Sequence, residues 1–453
     1  MFHEIPYVDP LRAFAPWSDE PWAMLLDSGG ADLERGRHAF LAVRPVHTLV
    51  ADAEGVRRDG CPLPLDPLTA LQTELAELPA LPPGPRPFAG GVVGLFGYEL
   101  GRHLERAPAR HGSGPAELAV GVYDAIAGFD RVARRAWVTA ARPGAEAKAA
   151  ALAQAIAAAP PLPPLSSPPG LQLEPELSPE AYRDRVRQIL ALIAAGEVYQ
   201  VNFTQRFLAP RPPGLDPFAL YRRLRALNPA PFAACLRLEG PLAVLSASPE
   251  RFLSLDRAGR IEARPIKGTR PRAADPMADQ AAAVALAASG KDQAENLMIT
   301  DLLRNDIGRV AAFGSVRVPC LRGIESHATV HHLVSVVEGQ LRPGLGPVDL
   351  LRASFPGGSI TGAPKVRAME IIDDLEPGPR GPYCGAIGWI GGDGAMDTSI
   401  VIRALTLTAD TVIAQAGGGI VADSDPHAEQ AEMMTKLAPA LAALIGETAC
   451  RVG

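Results

Sequence analysis

Residues 382–423 read PYCGAIGWIGGDGAMDTSIVIRALTLTADTVIAQAGGGIVAD, apolar runs rich in Ile, Val and Thr set off by Gly- and Asp-containing turns. Short β-prone runs joined by such turns predict a three-stranded antiparallel meander. Arg403 lies within SIVIRALTL, where nearly every neighbour is apolar. A guanidinium there needs an anion, either an internal salt bridge or a substrate carboxylate gripped by its planar fork. The Gly417-Gly418-Gly419 run reads two ways, as a backbone that lets an anion approach its N–H groups or as a tight turn. A helix follows, with Glu429 and Glu432 three apart on one face and Lys436 one turn on.

Outward from this stretch the pattern stays mixed. Ser178 and Pro179 open a helix on which Tyr182, Val186, Ile189, Leu190 and Ile193 recur at helical spacing, and Gly196 ends it. EVYQVNFTQRF then alternates with period two: Tyr199, Val201, Phe203 and Phe207 share one face, Gln200, Asn202, Thr204 and Arg206 the other. Strands are expected in FAACLRLEG, PLAVLSASPERFLSL and SHATVHHLVSVVEGQL, and one helix over 277–303 carries Glu295. Without a regular βαβ rhythm, the chain is expected to be α+β. Before it, residues 1–156 form an N-terminal region of short strands and an Ala-rich helix. A Pro-rich linker at 157–177 separates this from a domain spanning 178–450.

Composition narrows the function. The 453 residues are 47% hydrophobic and 21% charged, with a net charge of -6 and no basic run, which excludes a nucleic-acid binder. The start shows no signal peptide and no stretch has the length of a membrane span, so a cytoplasmic location without membrane partners is expected. Five scattered cysteines without a C-x-x-C pair read as reduced thiols. Lysine is rare: Lys148, Lys267, Lys291, Lys365 and Lys436 are the only ones among 44 Lys and Arg. Lys267 stands in Pro265-Ile266-Lys267-Gly268-Thr269, lifted between a proline and a glycine. It is either a surface lysine in a loop or a nucleophile, since an ammonium can shed its proton where a guanidinium cannot.

Other chemistries fall away. His327, His331 and His332 have the wrong spacing for zinc, and a strand would send His331 and His332 to opposite faces. Gly357–Gly362 match G-x-x-x-x-G, but Ala-Pro follows where a P-loop needs Lys-Ser or Lys-Thr. Neither a serine-hydrolase elbow nor a glutaminase cysteine turn is present. Glu295 on one helix and Glu429 and Glu432 on another are either solvated faces or oxygen donors for Mg²⁺.

From about Ser178 onward, SPERF, PIKGT, DLLRNDIGRV, HHLVSVVEG, FPGGSITGAPKVRAMEIIDDLE, YCGAIGWI, IVIRAL and AGGGIVADSDPHAEQAEMMTK follow in one order over roughly 270 residues. In this the chain resembles the chorismate-utilising enzymes, and its first third resembles the variable N-terminal region of their anthranilate and aminodeoxychorismate synthase large subunits. The resemblance implies an α+β fold of antiparallel sheets packed face to face with helices outside, a Mg²⁺ cofactor, and the dianion chorismate as substrate. Lys267 is similar to the lysine of the branch that aminates chorismate at C4, where anthranilate, isochorismate and salicylate synthases typically carry Ala. There the amine attacks C2 and expels the C4 hydroxyl, and ammonia then adds at C4 to give 4-amino-4-deoxychorismate for 4-aminobenzoate and folate synthesis. Gln200 stands where isochorismate and salicylate synthases use a lysine to activate water, so addition of hydroxide at C2 is not expected.

By the same resemblance Glu250 is the general acid, and Glu295 and Glu432, with Glu429 close by, are the Mg²⁺ ligands. Arg403 and Tyr383 grip the enolpyruvyl carboxylate. The backbone of Gly417, Gly418 and Gly419 and the Lys436 ammonium meet other carboxylate oxygens, while Thr269 and His332 line the ring site. Gly362, Ala363 and Lys365 are structural. With no glutaminase segment in the chain, a separate glutamine amidotransferase subunit is expected to deliver ammonia. Leu25-Leu26-Asp27-Ser28 and Asn228–Phe232 resemble a tryptophan pocket, in which Ser28, Pro231 and Phe232 would touch bound tryptophan. Asp27 departs from the Glu of feedback-inhibited anthranilate synthases, so occupancy without strong inhibition is expected. The alternative activity is that of anthranilate synthase component I, in which ammonia adds at C2 and pyruvate leaves.

Overall fold

A computed structural model describes residues 2–29, 36–79, 87–105, 109–326 and 330–446. Among them, two mostly antiparallel sheets of twelve strands each lie face to face. Trp22, Met24, Phe40, Ile126 and Leu236 from the first sheet interdigitate with Val50, Val93, Leu95, Ile387 and Trp389 from the second. On the outer face of the first sheet, the helices Pro179–Ala194, Pro217–Leu227, Lys365–Leu375 and Pro426–Ile445 bury Tyr182, Val186, Leu224, Ile372, Leu437 and Leu444. On the outer face of the second, Pro67–Ala76, Gly290–Gly308 and Pro347–Ser354 bury Leu71, Ile299, Leu303 and Leu351. This is the α+β architecture of sheets with helices outside. Each sheet hides one face in the other and one under helices, so its strands read as nearly continuous apolar runs.

Both sheets draw strands from either side of the Pro-rich segment. Met24–Asp27 pairs with Phe232–Arg237 in the first sheet, and Gly91–Phe96 pairs with Ala386–Gly391 in the second. Residues 1–156 and 178–450 are therefore neighbouring strands of common sheets. The segment between them lays Leu162, Leu171 and Leu173 against the core of the first sheet.

The 382–423 stretch does not form one meander. Ala386–Gly391 and Met396–Ile400 are a hairpin of the second sheet, and Ala404–Leu407 and Thr411–Ile420 a hairpin of the first. The chain changes sheets at 401–403, where Arg403 takes a left-handed φ of 51°. Arg403 is thus at a crossover rather than inside a strand. PLAVLSASPERFLSL likewise divides into Ala243–Ser248 in the first sheet and Arg251–Leu255 in the second, with Glu250 at the crossing. Face-to-face sheets turn one apolar run into two strands, which local patterning does not reveal. Three further readings change. The 277–303 helix is two, Pro276–Ala288 and Gly290–Gly308, broken at Ser289, whose hydroxyl caps the Asp292 N–H at 3.3 Å. Tyr199 precedes its strand and is exposed instead of sharing the buried face. Gly417–Gly419 is paired strand, not a turn.

Candidate active site

The site is built from the two crossovers, a bulge and two helices. At the bulge, Ile266 pairs with Val334 and Thr269 with His332, so Lys267 and Gly268 together oppose Leu333 alone. Gly268 has φ 80°, and a Cβ there would lie 2.8 Å from Asp292 Cγ. Only glycine fits that backbone, and the bulge swings Lys267 out of the ladder. Its Nζ donates to the Ser359 carbonyl at 3.3 Å. Two residues on, the Thr269 hydroxyl meets His332 Nδ1 at 2.9 Å. His331 faces the other way, with Nε2 3.0 Å from Asp279. His327 lies outside the described residues.

Lys267 couples the remaining acids. Burial pushes the Glu250 carboxyl above its ordinary value, against the pull of the Ser359 side chain and the Lys267 charge. Burial also raises Glu295, with Lys267 and Lys291 opposing and Asp292 and Glu429 reinforcing. Glu432 is held below its ordinary value: burial acts upward, but Lys436, Lys291 and Lys267 together outweigh it. Glu429 is buried, accepts from the Ser424 hydroxyl at 2.6 Å and pairs with Lys291 at 3.1 Å. Lys436 bridges Glu432 at 2.8 Å and the Gly417 carbonyl at 3.0 Å. A Cβ at Gly418 would sit 3.1 Å from Glu429 Oε2, and one at Gly419 would sit 2.8 Å from Gln200 Nε2. The glycine run thus makes room for these side chains.

The other end of the site is Arg403. Its guanidinium donates to Asn228 Oδ1 at 3.3 Å, and no carboxylate among the described residues pairs with it. Burial depresses its pKa, partly offset by neighbouring Tyr383, whose own hydroxyl is pushed far up by burial. Among the described residues no internal salt bridge forms, and a half-buried cation is left without a carboxylate. The crossovers tie this end to the acid: Ile400 N–H donates to the Glu250 carbonyl at 3.1 Å, and Ala247 N–H to the Arg403 carbonyl at 3.2 Å.

Ser28, Pro231 and Phe232 lie apart from these groups. They line a cavity of about 260 Å³ between the sheets, with His38, Phe40, Arg251, Trp389 and Asp397. Three contributors escaped the sequence reading. Ser359 lay in a quoted family motif and Asn228 in the segment likened to a tryptophan pocket, but neither was given a part in this site. Lys291 is marked by the rarity of lysine, and that signal could have found it.

The donors suit a magnesium ion, the metal the family implies. Glu295 has no hydrogen-bond or ion-pair partner among the described residues, and it faces the like charge of Glu429. No ready-made cage of three or more His, Cys, Asp or Glu exists among those residues. Mg²⁺ needs only one or two protein carboxylates and completes its octahedron with water and substrate oxygens.

A crossover-built site coupling a lysine, carboxylates and a half-buried arginine with no carboxylate partner among the described residues belongs with sheet-on-sheet enzymes for anionic substrates. The chain belongs to the chorismate binding enzyme family, whose model matches residues 23–442. It is 46% identical over 445 residues, 94% of each chain, to aminodeoxychorismate synthase component 1 of Klebsiella aerogenes. Anthranilate synthase component 1 of Streptomyces coelicolor is 41% identical over 450 residues, covering 95% of this chain and 85% of that one. Among solved structures, anthranilate synthase component I of Streptococcus pneumoniae superposes with a TM-score of 0.79 at 30% identity, over 89% of this chain and 92% of that one. No helix among the described residues is long and apolar enough to cross a membrane.

Proposed function

We propose that this chain is an aminodeoxychorismate synthase component 1, which converts chorismate and ammonia to 4-amino-4-deoxychorismate and water. The observation that carries the chemistry is the Lys267 bulge, which holds a rare lysine beside the buried carboxyl of Glu250. The Lys267 amine attacks C2 of the ring. Both ring double bonds shift, the C4–O bond breaks, and Glu250 gives its proton to the departing hydroxyl so that water leaves. Ammonia then bonds to C4, both double bonds shift back, the C2–N bond to Lys267 breaks, and the proton shed by the added nitrogen returns to Glu250. The raised pKa of Glu250 is what a donor near neutral pH requires. Arg403 and Tyr383 hold the enolpyruvyl carboxylate, the glycine strand and Lys436 meet other carboxylate oxygens, and Thr269 and His332 border the ring.

Glu295 and Glu432, with Glu429, would hold Mg²⁺, which when bound neutralises the substrate's ring carboxylate. A glutamine amidotransferase subunit supplies the ammonia. The inter-sheet cavity holds tryptophan against Ser28, Pro231 and Phe232. Work proceeds in the cytoplasm.

Purified protein given chorismate, Mg²⁺ and ammonium chloride should yield a product of aminodeoxychorismate mass, and Lys267→Ala should yield none. Full activity in Lys267→Ala would remove the covalent role. Fluorescent anthranilate with pyruvate would instead place the chain with its anthranilate synthase relatives.

A further inference from the structure

The loop that presents Tyr383 hangs on a residue from the far end of the chain. Glu99, in the short helical turn Tyr98–His103, is 1% exposed. Its Oε1 accepts from the Arg380 N–H at 2.8 Å, and its Oε2 from the Gly381 N–H at 2.9 Å. Tyr98 N–H donates to the Gly381 carbonyl at 2.8 Å, and the Tyr98 ring lies 4.6 Å beneath the Arg380 guanidinium. Gly381 has φ 59°, and a Cβ on Gly114 would lie 2.4 Å from its Cα, so the N-terminal region encloses this turn on two sides. From the turn the chain runs directly to Tyr383, whose N–H donates to the Arg380 carbonyl at 3.2 Å.

Arg380 is itself fully committed. It bonds both oxygens of Glu376, at 2.9 and 2.6 Å, and the carbonyls of Ile360 and Asn202, at 2.7 and 2.6 Å. Four of the five N–H groups on that side chain are engaged within the protein, so the cluster orients rather than binds.

We propose that Glu99 is a positioning residue for substrate binding: its carboxylate fixes the 380–383 turn, and through it the Tyr383 side chain that completes the Arg403 grip on the enolpyruvyl carboxylate. Two backbone N–H groups on one carboxylate fix a loop more firmly than either bond alone, because both must break before the turn rotates. Burial alone would favour the protonated carboxyl, and it lifts Glu99 to about 7 despite Arg102 and the two N–H donors. A group so costly to bury matches a dedicated task.

The inference rests on the proposed role of Arg403 and Tyr383. The experiment compares Glu99→Gln, Glu99→Asp and Arg403→Met in steady-state turnover of chorismate with saturating ammonium, alongside thermal melting. Glu99→Gln keeps one acceptor and sets an amide N–H₂ against the second N–H. It should raise the chorismate KM about tenfold, roughly what one unmet buried hydrogen bond costs, with kcat little changed. Glu99→Asp, which restores the carboxylate, should recover part of that loss. A KM unaffected by Glu99→Gln while Arg403→Met raises it overturns the inference alone. So does a fall in kcat that tracks melting temperature with KM constant. A KM unaffected by Arg403→Met overturns the grip itself and the inference with it. Should Glu99→Gln not fold, Tyr98→Leu, which removes the ring under Arg380 and keeps the carboxylate, should give the same rise in KM, and an unchanged KM there overturns the proposal.

Discussion

Arg251 and Arg403 sit at neighbouring crossovers between the same two sheets, yet their surroundings are opposite. Arg251 bonds both oxygens of Asp397, at 2.9 and 3.1 Å, reaches Glu262 at 3.1 Å, and stacks 5.2 Å over the Phe232 ring. Among the described residues Arg403 meets one amide oxygen and no acid. The same contrast holds for carboxylates. Asp27 accepts from Tyr221 at 3.0 Å and pairs with Arg225, whereas buried Glu250 and half-buried Glu295 have no direct ion pair among the described residues. A buried charge balanced by its own chain stabilises a fold, and one left unbalanced is a cost that a ligand offsets. The candidate site holds Glu250, Glu295 and Arg403 of the second kind, and the inter-sheet cavity is walled by the first.

The sharpest way to break this comparison is at Glu250. Replacing it with Gln should lower kcat by about 10²- to 10⁴-fold, the usual contribution of a general acid, with little loss of stability. Its pH dependence follows from the raised pKa: activity needs the proton and declines as pH rises through the folded-state value, and Glu250→Gln should lose that limb. The same shift adds stability in acid, complete below the ordinary carboxylate range and lost as pH climbs through the raised value. Denaturant titrations of both forms across pH would show it.

Next come the arginines as a pair. Arg403→Met should raise the chorismate KM by about 30-fold or more, as expected when a buried charge-assisted contact worth about 2–5 kcal/mol is lost, and leave the melting temperature level or higher. Arg251→Met should do the reverse, costing about 3–5 kcal/mol of stability because it strands Asp397 and leaves Glu262 only Arg264 at 3.7 Å. Equal effects of the two on KM and on melting would dissolve the distinction. The smallest effect expected is on metal binding. Mg²⁺ should raise the melting temperature of the ligand-free protein by a few degrees through linkage, and Glu295→Gln should abolish that rise.

Much of the candidate site was legible in short motifs. Lys267 stood out because arginine fills almost every other cationic position; Glu295, Glu432 and Arg403 carried a chemical reading beside a structural one, and the role of Glu250 came only from the family resemblance. The assignment of strands to sheets was less legible. An apolar run that spans a crossover looks like one long strand, because each half is buried on both faces and neither alternates. That is why 243–255 and 382–423 read as continuous while Glu250 and Arg403 stand at their breaks.

Residue type and local period were enough for the α+β class and for the capped helix at Ser178. Tertiary structure alone decided which charges are balanced. Arg251 meets Asp397 across 146 positions, and Glu99 meets Arg380 across 281. Contacts at such separation form only when two sheets close on one another, and they separate the arginine paired with carboxylates from the one that meets none among the described residues.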